Sequence, residues 1–277
     1  MIAIINKFFS ISALFFVIVS AQAQSVFILI HGTWGADSSW YMPQGDFFDV
    51  LENVVSAKNS SVVSFRWSGG CGHVARVKAA ESLVKLIQSY DSSTIIYIIG
   101  HSHGGNVATL ASQLLAQDEE NKHVIHVLFT LGTPVMSNYF PNMKTIHYLY
   151  NFFSLEDLIQ TVLGISLREF PKHRRIANMR VFVDGKEPIH ADLHHPHIAK
   201  WIAYIHNHFR RYLLTHGIKN RISEPSIAYF SYDRPPRYAL DYNRAELLER
   251  DRQLSVLILD SLRKSFETES NIPLTNL

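Results

Sequence analysis

Gly100-His101-Ser102-His103-Gly104-Gly105 is the stretch whose residue types could carry covalent chemistry. It fits the pattern G-x-S-x-G, which by chance recurs in roughly one chain of this length in ten, so its context has to decide. A continuous apolar run, Thr94 to Ile99, enters it, and an Ala- and Leu-rich stretch, Asn106 to Gln117, leaves it. Strand, tight turn and helix in that order make a nucleophile elbow. Glycines on either side let backbone segments approach without Cβ clashes. The elbow lifts the Ser102 hydroxyl to the N-terminus of a helix, where developing negative charge is favoured.

A serine hydroxyl is a weak nucleophile at neutral pH and needs a base, which in turn needs an orienting acid. After an elbow of this kind the partners follow as Asp or Glu, then His, each just past a later strand. Thr145 to Phe153 reads as a strand and is followed by Ser154-Leu-Glu-Asp157. Met179 to Val183 reads as another and is followed by His190. Asp157 and His190 therefore stand where acid and base belong. Glu156 is the alternative acid and His194 the alternative base. Asp184 lies nearer the base in sequence but would leave the earlier strand without its acid. His195 precedes Pro196 as a helix N-cap, and His197 falls in the first turn.

Acyl transfer also needs donors for the oxyanion. His31-Gly32-Thr33-Trp34-Gly35 ends the first strand after residue 23, where a second backbone donor is expected. The N–H groups of Thr33 and His103 are the expected pair, with His31 supporting the loop from beneath. Arg66, Trp67 and Ser68 follow a neighbouring strand, at the mouth. There Arg66 would meet an acidic headgroup or pack on Trp67. The four histidines at 190, 194, 195 and 197 could instead bind metal. A zinc site would usually show cysteine or an i, i+4 histidine pair on a helix face with a carboxylate; Asp192 is there but no second cluster is, so neither metal nor cofactor is expected.

The elements that must hold these residues alternate. Strands read at 25–30, 61–65, 94–99, 124–131, 145–153 and, last, 179–183. Helices read at 74–90, 106–117 and 196–216. This is the α/β class, with a mostly parallel sheet and helices on both faces. Residues 218–241 lose periodicity and contain Pro225, Pro235 and Pro236, and a helix returns over 245–266. The expected organisation is thus a processing segment at 1–23, a catalytic domain at 24–217 and a C-terminal helical extension at 218–277.

The whole-chain numbers agree. The 277 residues are 47% hydrophobic and 18% charged, enough apolar matter for a sizeable core. A net charge of +2 gives no basic footprint for nucleic acid. One cysteine, Cys71, excludes an intrachain disulfide. Residues 1–23 carry Lys7, an apolar run from Phe8 to Val19 and Ala21-Gln22-Ala23, the pattern of a cleaved secretory signal. The alternative is an N-terminal membrane anchor.

HGTWG at 31–35, GHSHGG at 100–105, TLGTP at 130–134, NFFSLEDLIQ at 151–160 and IHADLHHP at 189–196 stand in order. Over about residues 25–215 the chain resembles the α/β-hydrolases, specifically small bacterial serine lipases and esterases. The resemblance implies an α/β-hydrolase fold and cofactor-free acyl transfer to water through an acyl-serine. It also implies Ser102 as nucleophile, His190 as base, Asp157 as its orienter, and Thr33 and His103 as oxyanion donors. His103 departs from the family, where an apolar residue or Gln is commoner. The expected substrate is a small-molecule or lipid ester, with peripheral contact to a membrane compatible with the latter. Acyl transfer to another acceptor, thioester cleavage, and a non-catalytic binding role for the same fold are the rival readings.

Overall fold

A computed structural model describes residues 24–55, 59–160, 167–203, 226–231, 237–240 and 243–270. The segment read as a secretory signal, 1–23, lies outside the described residues, as does 204–216 of the expected long helix.

The chain runs β1 (Ser25–Ile30), α1 (Asp46–Val55), β2 (Ser60–Phe65), α2 (His73–Gln88), β3 (Ile95–His101), α3 (His103–Gln117), β4 (Ile125–Leu131), β5 (Ile146–Phe153) and β6 (Ile176–Val183). Next come α4, described over 196–203, then β7 (Ser226–Phe230), β8 (Arg237–Leu240) and α5 (Arg244–Ser270). One sheet holds all the strands in the order β2-β1-β3-β4-β5-β6-β7-β8. Every pairing is parallel except β7 with β8.

The continuous apolar runs are explained by burial on both faces. Along β1, Phe27 and Leu29 face a core shared with Phe47 and Leu51 of α1 and Ile198 and Trp201 of α4. Val26, Ile28 and Ile30 face the other core, shared with Leu83 and Ile87 of α2 and Val107 and Leu115 of α3. Two-residue alternation within one apolar run thus feeds two layers of helices. All six β1 residues are buried. A large side chain buried this way contributes roughly 1.5–3 kcal/mol.

Two expectations are corrected. Met179–Val183 does not end the sheet, because β7 adds beside β6 with Met179 opposite Ser226 and Val183 opposite Phe230. An unpaired β6 would leave a row of backbone groups without partners, and five residues of the region read as aperiodic supply them. Phe230 also packs edge-on against Trp201 and Phe152, so this part of 218–277 completes the core. The second correction is α1, a helix the periodicity reading passed over. Its three valines lower its helix propensity, yet Phe47, Phe48, Leu51 and Val55 make a buried stripe. Among the described residues no helix is long and apolar enough to cross a membrane.

Candidate active site

In a parallel sheet every strand delivers its C-terminal end to one edge, and there the segments singled out by sequence meet. Ser102 stands between β3 and α3 with φ 54° and ψ −131°. Such a backbone costs a non-glycine residue of order 1–3 kcal/mol and persists only when its surroundings impose it. They do so here. The Ser102 amide donates to the Leu131 carbonyl at 2.8 Å. A Cβ on Gly100 would lie 2.6 Å from the Gly105 nitrogen, so strand and helix touch backbone to backbone.

β5 ends at Phe153, and the loop that follows turns Asp157 inward. Asp157 is fully buried and Glu156 is exposed. β6 ends at Val183, and after the turn at Asp184-Gly185 the chain returns to His190, first residue of a short 3-10 turn, His190–His194. His190 Nδ1 lies 2.7 Å from Asp157 Oδ2. A carboxylate only accepts, so Nδ1 carries the proton and Nε2 is left as the basic nitrogen. The Asp157 Oδ1 accepts from the Gln160 amide at 3.0 Å.

The acid loop is held by residues that sequence reasoning missed. Arg168 is 2% exposed, and its Nη1 donates to the Ser154 and Asp157 carbonyls, each at 2.6 Å. Gln160 donates to the Thr133 carbonyl at 2.7 Å. Glu187 accepts from the Leu155 amide at 2.7 Å while also taking the Arg180 guanidinium. None of these has a sequence signal, since each acts on backbone brought near by the fold. Gly132 closes the group. With φ +59°, it would bring a Cβ to 2.8 Å from Asp157 Oδ2 and 3.2 Å from His190 Nδ1.

On the other flank, a Cβ on Gly32 would lie 2.7 Å from the Ser102 Cβ, so the Gly32-Thr33 loop crosses directly over the serine. The Oγ1 of Thr33 is buried with no hydrogen-bond partner. The His103 amide belongs to the first turn of α3, where no preceding helical carbonyl can take it. His31 supports the loop from below. It is buried, its Nε2 accepts from the Trp67 amide at 3.2 Å, and its Nδ1 is 2.7 Å from the Gly32 carbonyl. Trp67 stacks on His31 rather than on Arg66. Arg66 pairs with Asp37 at 2.7 Å on the surface.

The remaining histidines separate. His194 stacks on Trp40 with centroids 4.9 Å apart, and burial pushes its imidazole down to about 4. His195 Nδ1 accepts from the His197 amide at 3.2 Å, as an N-cap does. His197, largely buried, lies 3.3 Å from the exposed Asp184. His103 is lowered to about 4, first by burial and then by the charge of Arg76. Among the described residues no group of three or more His, Cys, Asp or Glu is placed to hold a metal ion.

The class 3 lipase family model matches residues 38–166. A cutinase-like protein from a Cryptococcus species is 13% identical with a TM-score of 0.45, over 69% of this chain and 96% of its own. Polyneuridine aldehyde esterase is 18% identical with a TM-score of 0.28, over 40% of this chain and 42% of its own. A lipase-esterase related protein from Clostridium acetobutylicum ATCC 824 is 15% identical with a TM-score of 0.27, over 41% and 44%. No curated protein matches significantly. The lipase match runs from α1 through β5 and includes Ser102 and Asp157, and with the mostly parallel sheet it supports an α/β-hydrolase of lipase/esterase-like type.

Proposed function

We propose that this chain is an exported serine hydrolase that cleaves carboxylic esters of lipid or acyl type. The observation that carries the reading is the 2.7 Å contact of His190 Nδ1 with buried Asp157, on the sheet edge where Ser102 is held at φ 54°. In the reaction, His190 Nε2 takes the Ser102 proton as Oγ attacks the ester carbonyl. The oxyanion is met by the N–H groups of Thr33 and His103. The tetrahedral intermediate collapses, the alcohol leaves with the proton from His190, and an acyl-serine remains. Water then attacks, gives its proton to His190, and releases the acid as Ser102 takes the proton back. Asp157 holds the imidazole tautomer and its transient charge throughout.

A lipid or acyl group is supported by apolar side chains beside the three site segments. Trp34 is 82% exposed next to Thr33, Ile189 is 56% exposed next to His190, and Leu158 and Ile159 are exposed next to Asp157. Such exposure fits a water-poor substrate or a membrane surface. Export rests on the composition of 1–23 alone.

The test is hydrolysis of p-nitrophenyl esters of increasing acyl length by the chain and by Ser102→Ala, with and without EDTA. The variant should lose kcat by a factor on the order of 10⁶, and EDTA should change nothing. Equal rates in both proteins would sink the role of Ser102. Loss with EDTA would move the chemistry to a metal.

A further inference from the structure

One buried group at the site has no part in that reaction. His101 immediately precedes Ser102, at the end of β3, and is 8% exposed. Its Nε2 lies 3.0 Å from the carbonyl oxygen of His190. Carbonyl oxygen only accepts, so Nε2 carries the proton and donates. The two rings lie 4.7 Å apart at 45°. His101 also meets Trp40 edge-on at 5.9 Å and His194 edge-on at 4.9 Å.

These contacts have a mechanical consequence. The serine and its base come from elements 88 residues apart (190 − 102), on strands β3 and β6 that are not neighbours in the sheet. The Asp157 contact fixes the His190 imidazole at Nδ1 but leaves the main chain under it to the loop. His101 supplies the missing tie, from the residue joined covalently to the nucleophile to the backbone of the base. Burial keeps His101 neutral, well below the ordinary range, with the neighbouring His190 and His194 acting the same way. A neutral donor adds no charge that would oppose the imidazolium formed on His190 during the reaction.

We propose that His101 is a positioning residue that sets the spacing between Ser102 and His190 through its hydrogen bond to the His190 carbonyl. The inference rests on the proposed hydrolase reading, and its test separates the two. His101→Phe keeps an aromatic edge toward Trp40 and His194 but cannot donate. His101→Gln can still donate from its amide. Three quantities are measured in the full chain: kcat and KM on a p-nitrophenyl ester, the acid limb of the pH–rate profile, and the low-field proton resonance of the His190–Asp157 hydrogen bond.

The Phe variant should lose kcat on the order of 10²-fold with little change in KM, because a small misplacement of a reacting group costs that much. Its low-field resonance should broaden or vanish and its acid limb should shift. The Gln variant should recover most of all three. A Phe variant with unchanged kcat and resonance would overturn the proposal. Equal loss in Phe and Gln would do so as well, assigning His101 to packing alone. Should Phe fail to fold, as read by thermal melting, His101→Met against Gln makes the same comparison. The resonance reports on the tie without turnover, so a Ser102→Ala protein that stays active would sink the hydrolase reading and leave this test standing.

Discussion

At the scale of single residues, the site depends on what is missing as much as on what is present. Gly132 is the case in point. Its φ is +59°, and an added Cβ would enter the space where Asp157 and His190 meet. Gly132→Ala has to strain its backbone and push the carboxylate from the imidazole. Activity should fall on the order of 10²-fold, as for other small misplacements, with a stability loss of about 1–3 kcal/mol seen in thermal melts. Unchanged turnover would show that the pair tolerates a methyl group between its loops. Arg168 makes the complementary point. Its guanidinium is a fork of donors matched to the carbonyls of Ser154 and Asp157. Arg168→Met takes the guanidinium from both oxygens and leaves the Ser154 carbonyl only the long 3.4 Å bond from the Asp157 amide, at about 1–3 kcal/mol for a buried carbonyl left unpaired. The acid loop should become accessible to hydrogen exchange ahead of the rest of the sheet edge.

At the scale of elements, β3 and α3 are one device. The helix starts at His103, three residues earlier than its apolar pattern suggests, because Gly104 and Gly105 lie inside it. Glycines weaken a helix start in sequence terms, and here close approach requires them. A Cβ on Gly104 would lie 2.5 Å from the Ile30 carbonyl oxygen. Gly100→Ala should be more damaging than a surface substitution, since every close contact of its Cβ is backbone. Expression of folded protein should drop, and any soluble fraction should melt several degrees lower and turn over esters poorly. A variant as stable and active as the parent would mean that the elbow opens without cost.

At the scale of the whole molecule, two consequences follow from burial. His101, His103 and His194 are all held below the ordinary histidine range, the last two at about 4. Unfolded, each would take up a proton near pH 6.5; folded, each resists it. Their contribution to stability is therefore complete above about pH 6.5 and is lost as pH falls toward 4. His103 and His194 each add up to about 1.4 kcal/mol per pH unit over that window, and His101 acts in the same direction. Urea midpoints measured from pH 7.5 to 4 should fall steeply below 6.5, and a flat profile would contradict the burial of these rings. The second consequence concerns the C-terminal segment. Phe230 and Ala228 are buried in the core that includes Trp201 and Phe152. A chain ending at residue 217 should bare the β6 edge and that core, and should be recovered aggregated. Full solubility and activity of the shortened chain would show β7 to be dispensable.

How much of this was legible differs by residue, and the reason is physical. The sequence by itself determined the α/β class, because burial on both faces writes continuous apolar runs at 25–30, 94–99 and 124–131. It also singled out Ser102, Asp157 and His190, since in such a sheet the ends of successive strands meet at one edge whatever the loop lengths. It kept Glu156 as an alternative to Asp157, and His194 as an alternative to His190. Neighbouring residues differ there only in which way a loop turns, and the turn is set by Arg168, Gln160 and Glu187 acting on backbone. It missed β7, since five residues beside prolines become a strand only when β6 offers an unpaired edge. It likewise could not assign His101, whose partner is a main-chain carbonyl 89 positions away. Local pattern carries burial and strand order. Hydrogen bonds to distant backbone leave no pattern, so the tertiary structure alone decided which carboxylate meets which histidine and which sheet edge is covered.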